Sequence, residues 1–195
     1  MFQLTHHITI GRYRLRMFDQ VEVSRSVQNL ADTATITLPA AILNHPLDIT
    51  DRIHEGDPVS ISLGYDNRNQ QEFQGYIEDI YTGTKGIEIR CLDPLYLFKK
   101  TSLKDSTLQN PKLEGILQTV CQQVSSDISV NCDYDIGYKS FVIQKATAYD
   151  VLSKIHDEIK ADIYFLSGTL HLHPPYSNNN KDTASLDFSR NVESY

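Results

Sequence analysis

Through the first half of the chain, apolar and polar residues alternate with a period of two. Successive side chains of a strand point to opposite faces, so this alternation predicts strands with one buried face. Tyr13, Leu15 and Met17 alternate with Arg14 and Arg16, and the pattern resumes at Val21 and Val23. Ala34, Ile36 and Leu38 alternate with Thr35 and Thr37 until Pro39 ends the run. Val59, Ile61 and Leu63 alternate with Ser60 and Ser62 between two turn-rich segments, Gly56-Asp57-Pro58 and Gly64-Tyr65-Asp66-Asn67. Positions 3–10, closed by Gly11, and 73–81 predict two more strands. Thr82-Gly83-Thr84-Lys85-Gly86 predicts a hairpin turn into Ile87, Ile89 and Cys91. Short strands at this spacing point to a small antiparallel β-barrel or sandwich over residues 1–93; of the two, a barrel removes the exposed edges by closing the sheet. Gly75, Gly86 and the Gly56-Asp57-Pro58 turn are expected to set its closure, with Gly86 at positive φ.

The period changes at Asp93. Asp93-Pro94-Leu95 places a capping residue before a proline at the first helical position and predicts a short helix to Lys100. Residues 101–111 are polar and read as a loop. Leu113, Ile116, Leu117, Val120, Cys121 and Val124 then recur at helical spacing. Ile128, Val130 and Cys132 predict a strand, and Phe141-Val142-Ile143 another. Thr147-Ala148-Tyr149-Asp150 resembles a capping box, with Asp in place of the longer Glu. It opens a second amphipathic helix with the face Val151, Leu152, Ile155 and Ile159. Residues 162–166 and 169–173 predict a hairpin around Ser167-Gly168. Residues 94–176 thus read as a small two-helix α+β domain, and the whole chain as α+β. Residues 177–195 read as a linker and one further strand, over 184–189.

Composition narrows the function classes. The formal net charge is −7 over 195 residues, so the chain lacks the overall basic footprint of a nucleic-acid binder. Lys99, Lys100 and Lys104 are the clear basic cluster and read as a solvated loop. No apolar run approaches the roughly 18 residues that cross a bilayer as a helix. The first ten residues lack the basic start and apolar stretch of a signal peptide, which predicts a chain made and kept in a cytoplasm unless a larger assembly carries it out. Cys91, Cys121 and Cys132 form no CxxC pair; Cys91 and Cys121 read as small buried hydrophobes.

Candidate chemistry is sparse. Gly83-Thr84-Lys85-Gly86 lacks the order and the strand-to-helix setting of a phosphate-binding loop. No G-x-S-x-G nucleophile elbow occurs. His171 and His173, at alternate strand positions, share a face and so are both within reach of one metal ion, but a third ligand has to come from elsewhere. Their plainer reading is two polar residues on the exposed face of a hairpin. His6 and His7 face opposite ways. Glu78-Asp79 and Asp157-Glu158 are neighbours whose side chains diverge, and a pair distant in sequence, for example Asp93 with Asp162, would make a dyad only if the fold brings it together. Both of those aspartates also have local roles, as cap and turn. No catalytic residue, cofactor or metal is expected, and no interface residue is assignable.

The order of elements resembles a known family. Ile53-His54-Glu55-Gly56-Asp57-Pro58-Val59 is similar to an "x-x-G-D-x-V" strand entry, and Glu72-Phe73-Gln74-Gly75-Tyr76-Ile77 to an "F-x-G-x-I/V" strand. The stretch from Ile89 to Leu97 is similar to a barrel exit into a helix, "V-x-x-x-D-x-x-x-x-L". Lys112 to Val124, Ala148-Tyr149-Asp150-Val151-Leu152, Ala161-Asp162-Ile163-Tyr164-Phe165 and Gly168-Thr169-Leu170-His171-Leu172 follow in the order seen in phage tail baseplate hub proteins. That family includes the late control proteins of contractile phages and is related to the N-terminal part of type VI secretion spike proteins. The resemblance covers most of residues 20–172. Tyr149 stands where Trp is common, and Lys160-Ala161-Asp162 where a glycine often sits. The resemblance implies a homotrimeric structural hub, not an enzyme. Each subunit would carry two similar barrels, so that the trimer fits a hexameric tail tube on one side and a spike on the other. DNA would be only a passing cargo, and the protein would reside in the virion tail. Residues 185–195 alone would begin the second barrel. The alternative reading is a cell-wall or carbohydrate-binding module of a tail or secretion apparatus, for which Tyr13, Tyr65, Tyr76, Tyr138 or Tyr176 would supply exposed aromatic platforms.

Overall fold

The alternating segments form strands because each buries one row of β-branched or aliphatic side chains and leaves the other row polar. The computed structural model describes residues 3–26, 29–39, 41–42, 45–46, 52–83, 86–166 and 168–175. The expected strand over 184–189, Tyr176 and residues 177–195 lie outside the described residues. In the N-terminal part the strands are β1 (Leu4–Ile10), β2 (Tyr13–Leu15), β3 (Gln20–Ser24), β4 (Thr33–Leu38), the short β5 (Ala41–Ile42) and β6 (His45–Pro46), β7 (Pro58–Tyr65), β8 (Arg68–Gly83) and β9 (Gly86–Leu92). Seven of them make one antiparallel sheet in the order β2-β1-β7-β8-β9-β4-β3, and β5 pairs with β6.

Burial follows the alternation. Ile8, Ile10, Ile36, Ile61, Ile77 and Ile89 are completely buried in one hydrophobic cluster. Each such side chain contributes on the order of 1.5–3 kcal/mol relative to exposure. The β7–β8 hairpin turns through Asp66 and Asn67, both at positive φ (52° and 63°), a conformation Asp and Asn tolerate better than most residues. Gly86 has φ 145°, as expected, at the start of β9. Gly75 is required for space: a Cβ there would lie 2.1 Å from the Leu92 carbonyl oxygen.

The expected barrel is not closed by hydrogen bonds. Among the described residues, β2 and β3 are the two edges of the ladder and do not pair. The sheet is nevertheless strongly curled. Laid flat, seven strands at about 4.8 Å spacing would separate the edges by roughly 29 Å. Leu15 ends β2 and Gln20 begins β3, and a chain of that length spans at most roughly 18 Å. The curl is assisted by two bulges in β8, each of which extrudes one glutamate. Ile61 pairs with Phe73 and Ser62 with Gln71, which leaves out Glu72; Ile77 pairs with Cys91 and Asp79 with Arg90, which leaves out Glu78. Bulges bend the strand that carries them. Glu72 then meets Arg25, just past the opposite edge strand, at 3.4 Å.

The second half packs around its own cluster. Its elements are α1 (Leu95–Lys100), β10 (Ser106–Gln109), α2 (Leu113–Val124), β11 (Ser129–Cys132), β12 (Ser140–Ile143), α3 (Ala148–Ile159), β13 (Asp162–Leu166) and β14 (Thr169–His173). α2 buries Leu113, Ile116, Leu117, Val120 and Cys121, and α3 buries Ala148, Val151, Leu152 and Ile155. The capping box is real: Asp150 N–H donates to Thr147 Oγ1 at 3.1 Å, and Thr147 N–H to Asp150 Oδ2 at 2.8 Å. Two features extend or correct the sequence reading. Residues 106–109, read as loop, are a strand because they find a partner in β12. β11 joins the β13–β14 hairpin in parallel, beside β14. The short helix expected up to Lys100 is present as α1.

Candidate functional site

Asp93 is at the junction of the two parts. It is the one buried charged or polar residue identified among the described residues, at 5% exposure. Pro94 already has helical dihedrals, and Asp93 caps α1 from just before it: Leu95 N–H donates to Asp93 Oδ1 at 2.9 Å. Asp32 N–H donates to the other carboxylate oxygen at 3.2 Å, and Asp93 N–H to the Asp32 carbonyl at 3.1 Å. Burial pushes the Asp93 carboxyl up to about 7, the two N–H donors oppose the shift, the Asp32 carboxylate adds to it and Lys99 also opposes it. Asp32 is likewise raised, chiefly by burial. The pair weighed from sequence does not form. Asp93 is partnered by Asp32, while Asp162 pairs in register with His173. Both Asp93 oxygens are engaged by backbone N–H groups, which is structural work. The Asp32 contact was missed because it joins positions 61 apart.

The other carboxylates also go to separate partners. Glu78 binds Lys99 at 2.8 Å, whereas Asp79 accepts from the Tyr81 hydroxyl at 3.3 Å. Asp157 is 3.9 Å from Lys160 and Glu158 3.9 Å from Lys154. In the basic cluster, Lys99 is therefore paired, and Lys100 Nζ lies over the Tyr96 ring at 5.3 Å from its centroid. Burial holds the Cys91 and Cys121 thiols up to about 12, so neither is a reactive thiolate.

The tyrosines of the alternative reading are spread over different surroundings. Tyr13 is paired with Arg12, and Tyr65 is exposed at the end of β7. Tyr76 stacks on Tyr96 at 5.6 Å, and Tyr138 packs edge-on against Phe141 at 5.5 Å. These contacts use two of the four described rings in packing. Shallow grooves flank the sheet. One of about 1070 Å³ runs between Leu4, Leu63 and Tyr65 on one side and Val23 and Arg25 on the other. A second, of about 630 Å³, lies between the sheet and β13, bordered by Asp32, Asp93, Glu72 and Tyr164.

The histidines converge. His171 and His173 lie on the face of β14 opposite buried Leu170 and Leu172. His173 Nε2 is 3.3 Å from His171 Nδ1, and His173 Nδ1 is hydrogen-bonded to Asp133 Oδ2. Asn131 Nδ2 is 3.4 Å from His171 Nδ1, and the Tyr164 ring lies parallel to the His171 ring at 5.1 Å. Burial, and next the charge on His173, hold the His171 imidazole below its ordinary pKa, with Asp133 opposing. Among the described residues no group of three His, Cys, Asp or Glu side chains is spaced to hold a metal ion. Asp133, Asn131 and Tyr164 were not foreseen, because the parallel β11–β14 pairing that gathers them leaves no local pattern in sequence.

No family model matches the chain, and no curated protein matches it. Its fold does have relatives among solved structures. The 43 kDa tail protein of prophage MuSo2 from Shewanella oneidensis superposes with a TM-score of 0.66 over 86% of this chain and 53% of its own, at 15% identity. The fold is that of phage tail proteins. A tail protein from Neisseria meningitidis shares it with a TM-score of 0.60 over 87% of this chain and 51% of its own, at 12% identity. A chain of the Francisella PdpA–VgrG complex shares it with a TM-score of 0.59 over 94% of this chain and 31% of its own, at 15% identity. The tail-protein fold here thus spans about half the length of the two tail proteins. Among the described residues no helix is long and apolar enough to cross a membrane.

Proposed function

We propose that this chain is a structural hub protein of a contractile phage-like tail baseplate, which joins the tail tube to the spike and forms part of the wall of a central channel. The observation that carries this reading is the order of its parts. A curled antiparallel sheet is followed by a helix-capped α+β unit, and the same arrangement spans 86% of the chain against the MuSo2 tail protein. The recurrence of the fold in a chain of the Francisella PdpA–VgrG complex adds support. In this reading residues 1–93, with their curled open sheet, are the tube-like domain, residues 94–176 the small domain, and residues 177–195 lead into a second tube-like domain. The working form is a homotrimer within a virion tail, its partners are the tube and spike proteins, and it catalyses no reaction. The curled sheet suits a ring-forming role, because its two edge strands, β2 and β3, offer strand surfaces to neighbours.

The test is localisation in assembled particles. Antibody raised against this chain is applied to purified tails and visualised by electron microscopy. Label at the junction of tube and spike is the expected result. Label along the sheath, on the capsid, or absent from particles that contain tube and spike overturns the reading.

A further inference from the structure

We propose that His171 and His173 bind a divalent transition-metal ion through Nδ1 of His171 and Nε2 of His173. The proposal is independent of the hub reading. It starts from the spacing of the two nitrogens, 3.3 Å. Two imidazole nitrogens on one tetrahedral zinc ion, each about 2.05 Å from it, stand about 3.3 Å apart. The pair, hydrogen-bonded to each other here, therefore already has the separation a shared ion requires, and the ion would take the place of the bridging proton, which moves to His171 Nε2.

The surrounding contacts are those of a metal-binding histidine. Asp133 accepts a hydrogen bond from His173 Nδ1. A carboxylate at that nitrogen keeps the proton there and leaves Nε2 with its lone pair available, and it also fixes the ring. The Tyr164 ring, parallel to His171 within 5° at 5.1 Å, covers one face of that imidazole. Asn131 is opposite His171 in the parallel register of β11 and β14, with its amide nitrogen 3.4 Å from Nδ1. Rotation of that amide brings its oxygen to the same place, which supplies a third donor. Water completes the shell. Such a nitrogen-rich set favours Cu2+, with Zn2+ and Ni2+ behind it, over Mg2+ and Ca2+, which take oxygen cages.

The experiment uses the full chain without an affinity tag, titrated with zinc chloride in a calorimeter. The expected result is one saturable ion per chain. His171→Ala and His173→Ala should each weaken binding at least tenfold. Asp133→Asn, a positioning change, should weaken it about 10- to 100-fold. Changing His6 and His7 together to Ala should leave it unchanged. Imidazole nitrogen resonances recorded during the titration should move at His171 Nδ1 and His173 Nε2. If an alanine variant loses its strand signal by circular dichroism, His171→Gln and His173→Gln take its place. Absence of saturable binding, binding unaffected by either histidine variant, or shifts at other nitrogens would each overturn the proposal.

Discussion

Asp93 shows how one carboxyl ties two parts of a chain together at a measurable cost. It caps α1 through Leu95 and holds the Asp32 segment through a second backbone N–H. Burial outweighs those donors and raises its pKa to about 7. A carboxyl with a raised folded pKa contributes stability that is complete below its unfolded pKa, near 3.9, and is lost as pH climbs through the folded value. The window is therefore about pH 4 to 7, and the effect amounts to a few kcal/mol at most. Asp93→Asn keeps an oxygen for the Leu95 N–H but sets an amide group against the Asp32 N–H. We expect the variant to be less stable than the native chain at pH 4, with the deficit shrinking or reversing by pH 8. Urea unfolding of both proteins across that range measures it. A difference independent of pH would mean that the carboxyl titrates in its ordinary range.

At the scale of elements, the end of α3 is where the chain departs from its resemblance and also where it is strained. Lys160 closes the helix at φ 52° and ψ 39°, the left-handed region, with its N–H on the His156 carbonyl. Glycine adopts that conformation without a Cβ penalty, and a non-glycine residue costs about 1–2 kcal/mol there. The ion pair of Lys160 with Asp157, at 3.9 Å, is exposed and contributes little. Lys160→Gly should therefore stabilise the protein by about 1 kcal/mol, less the entropy glycine adds to the unfolded chain. An unchanged or lower melting temperature in calorimetry would show that the strain is relieved elsewhere. Features of this kind set what is legible in sequence. The faces of α2 and α3, the Thr147 cap and the alternating strands are readable because each depends on residues within one element. The strand at 106–109 is not, because its reason is β12 and not its own pattern. The His173–Asp133 contact joins positions 40 apart through a parallel pairing, and no periodicity announces that. The open ladder escapes for the same reason: alternation reveals strands, while closure depends on which edges meet.

The whole molecule combines a curled sheet, a helix-bearing unit and an excess of acidic charge. A channel wall that lets DNA pass has to avoid holding it. Non-specific binders reach dissociation constants of about 10⁻⁴ to 10⁻⁶ M at physiological salt by neutralising phosphates with Lys and Arg. Here the net charge is −7. Of the basic cluster, Lys99 is engaged by Glu78 and Lys100 lies over Tyr96. Outside it, Arg25 is engaged by Glu72 and Arg90 by Glu88. The acidic balance and these pairings both work against phosphate contacts. We expect fluorescence anisotropy of a labelled duplex to show no saturable binding at physiological salt, with any affinity weaker than about 10⁻⁴ M. Tighter binding that fell steeply with added salt would point to a basic stripe along the surface and contradict a passing-cargo role. Lys99→Glu and Lys100→Glu would then tell whether the α1 end supplies it. Binding that survived both changes would direct attention to Arg14 and Arg16, on and beside β2, an edge strand of the sheet among the described residues.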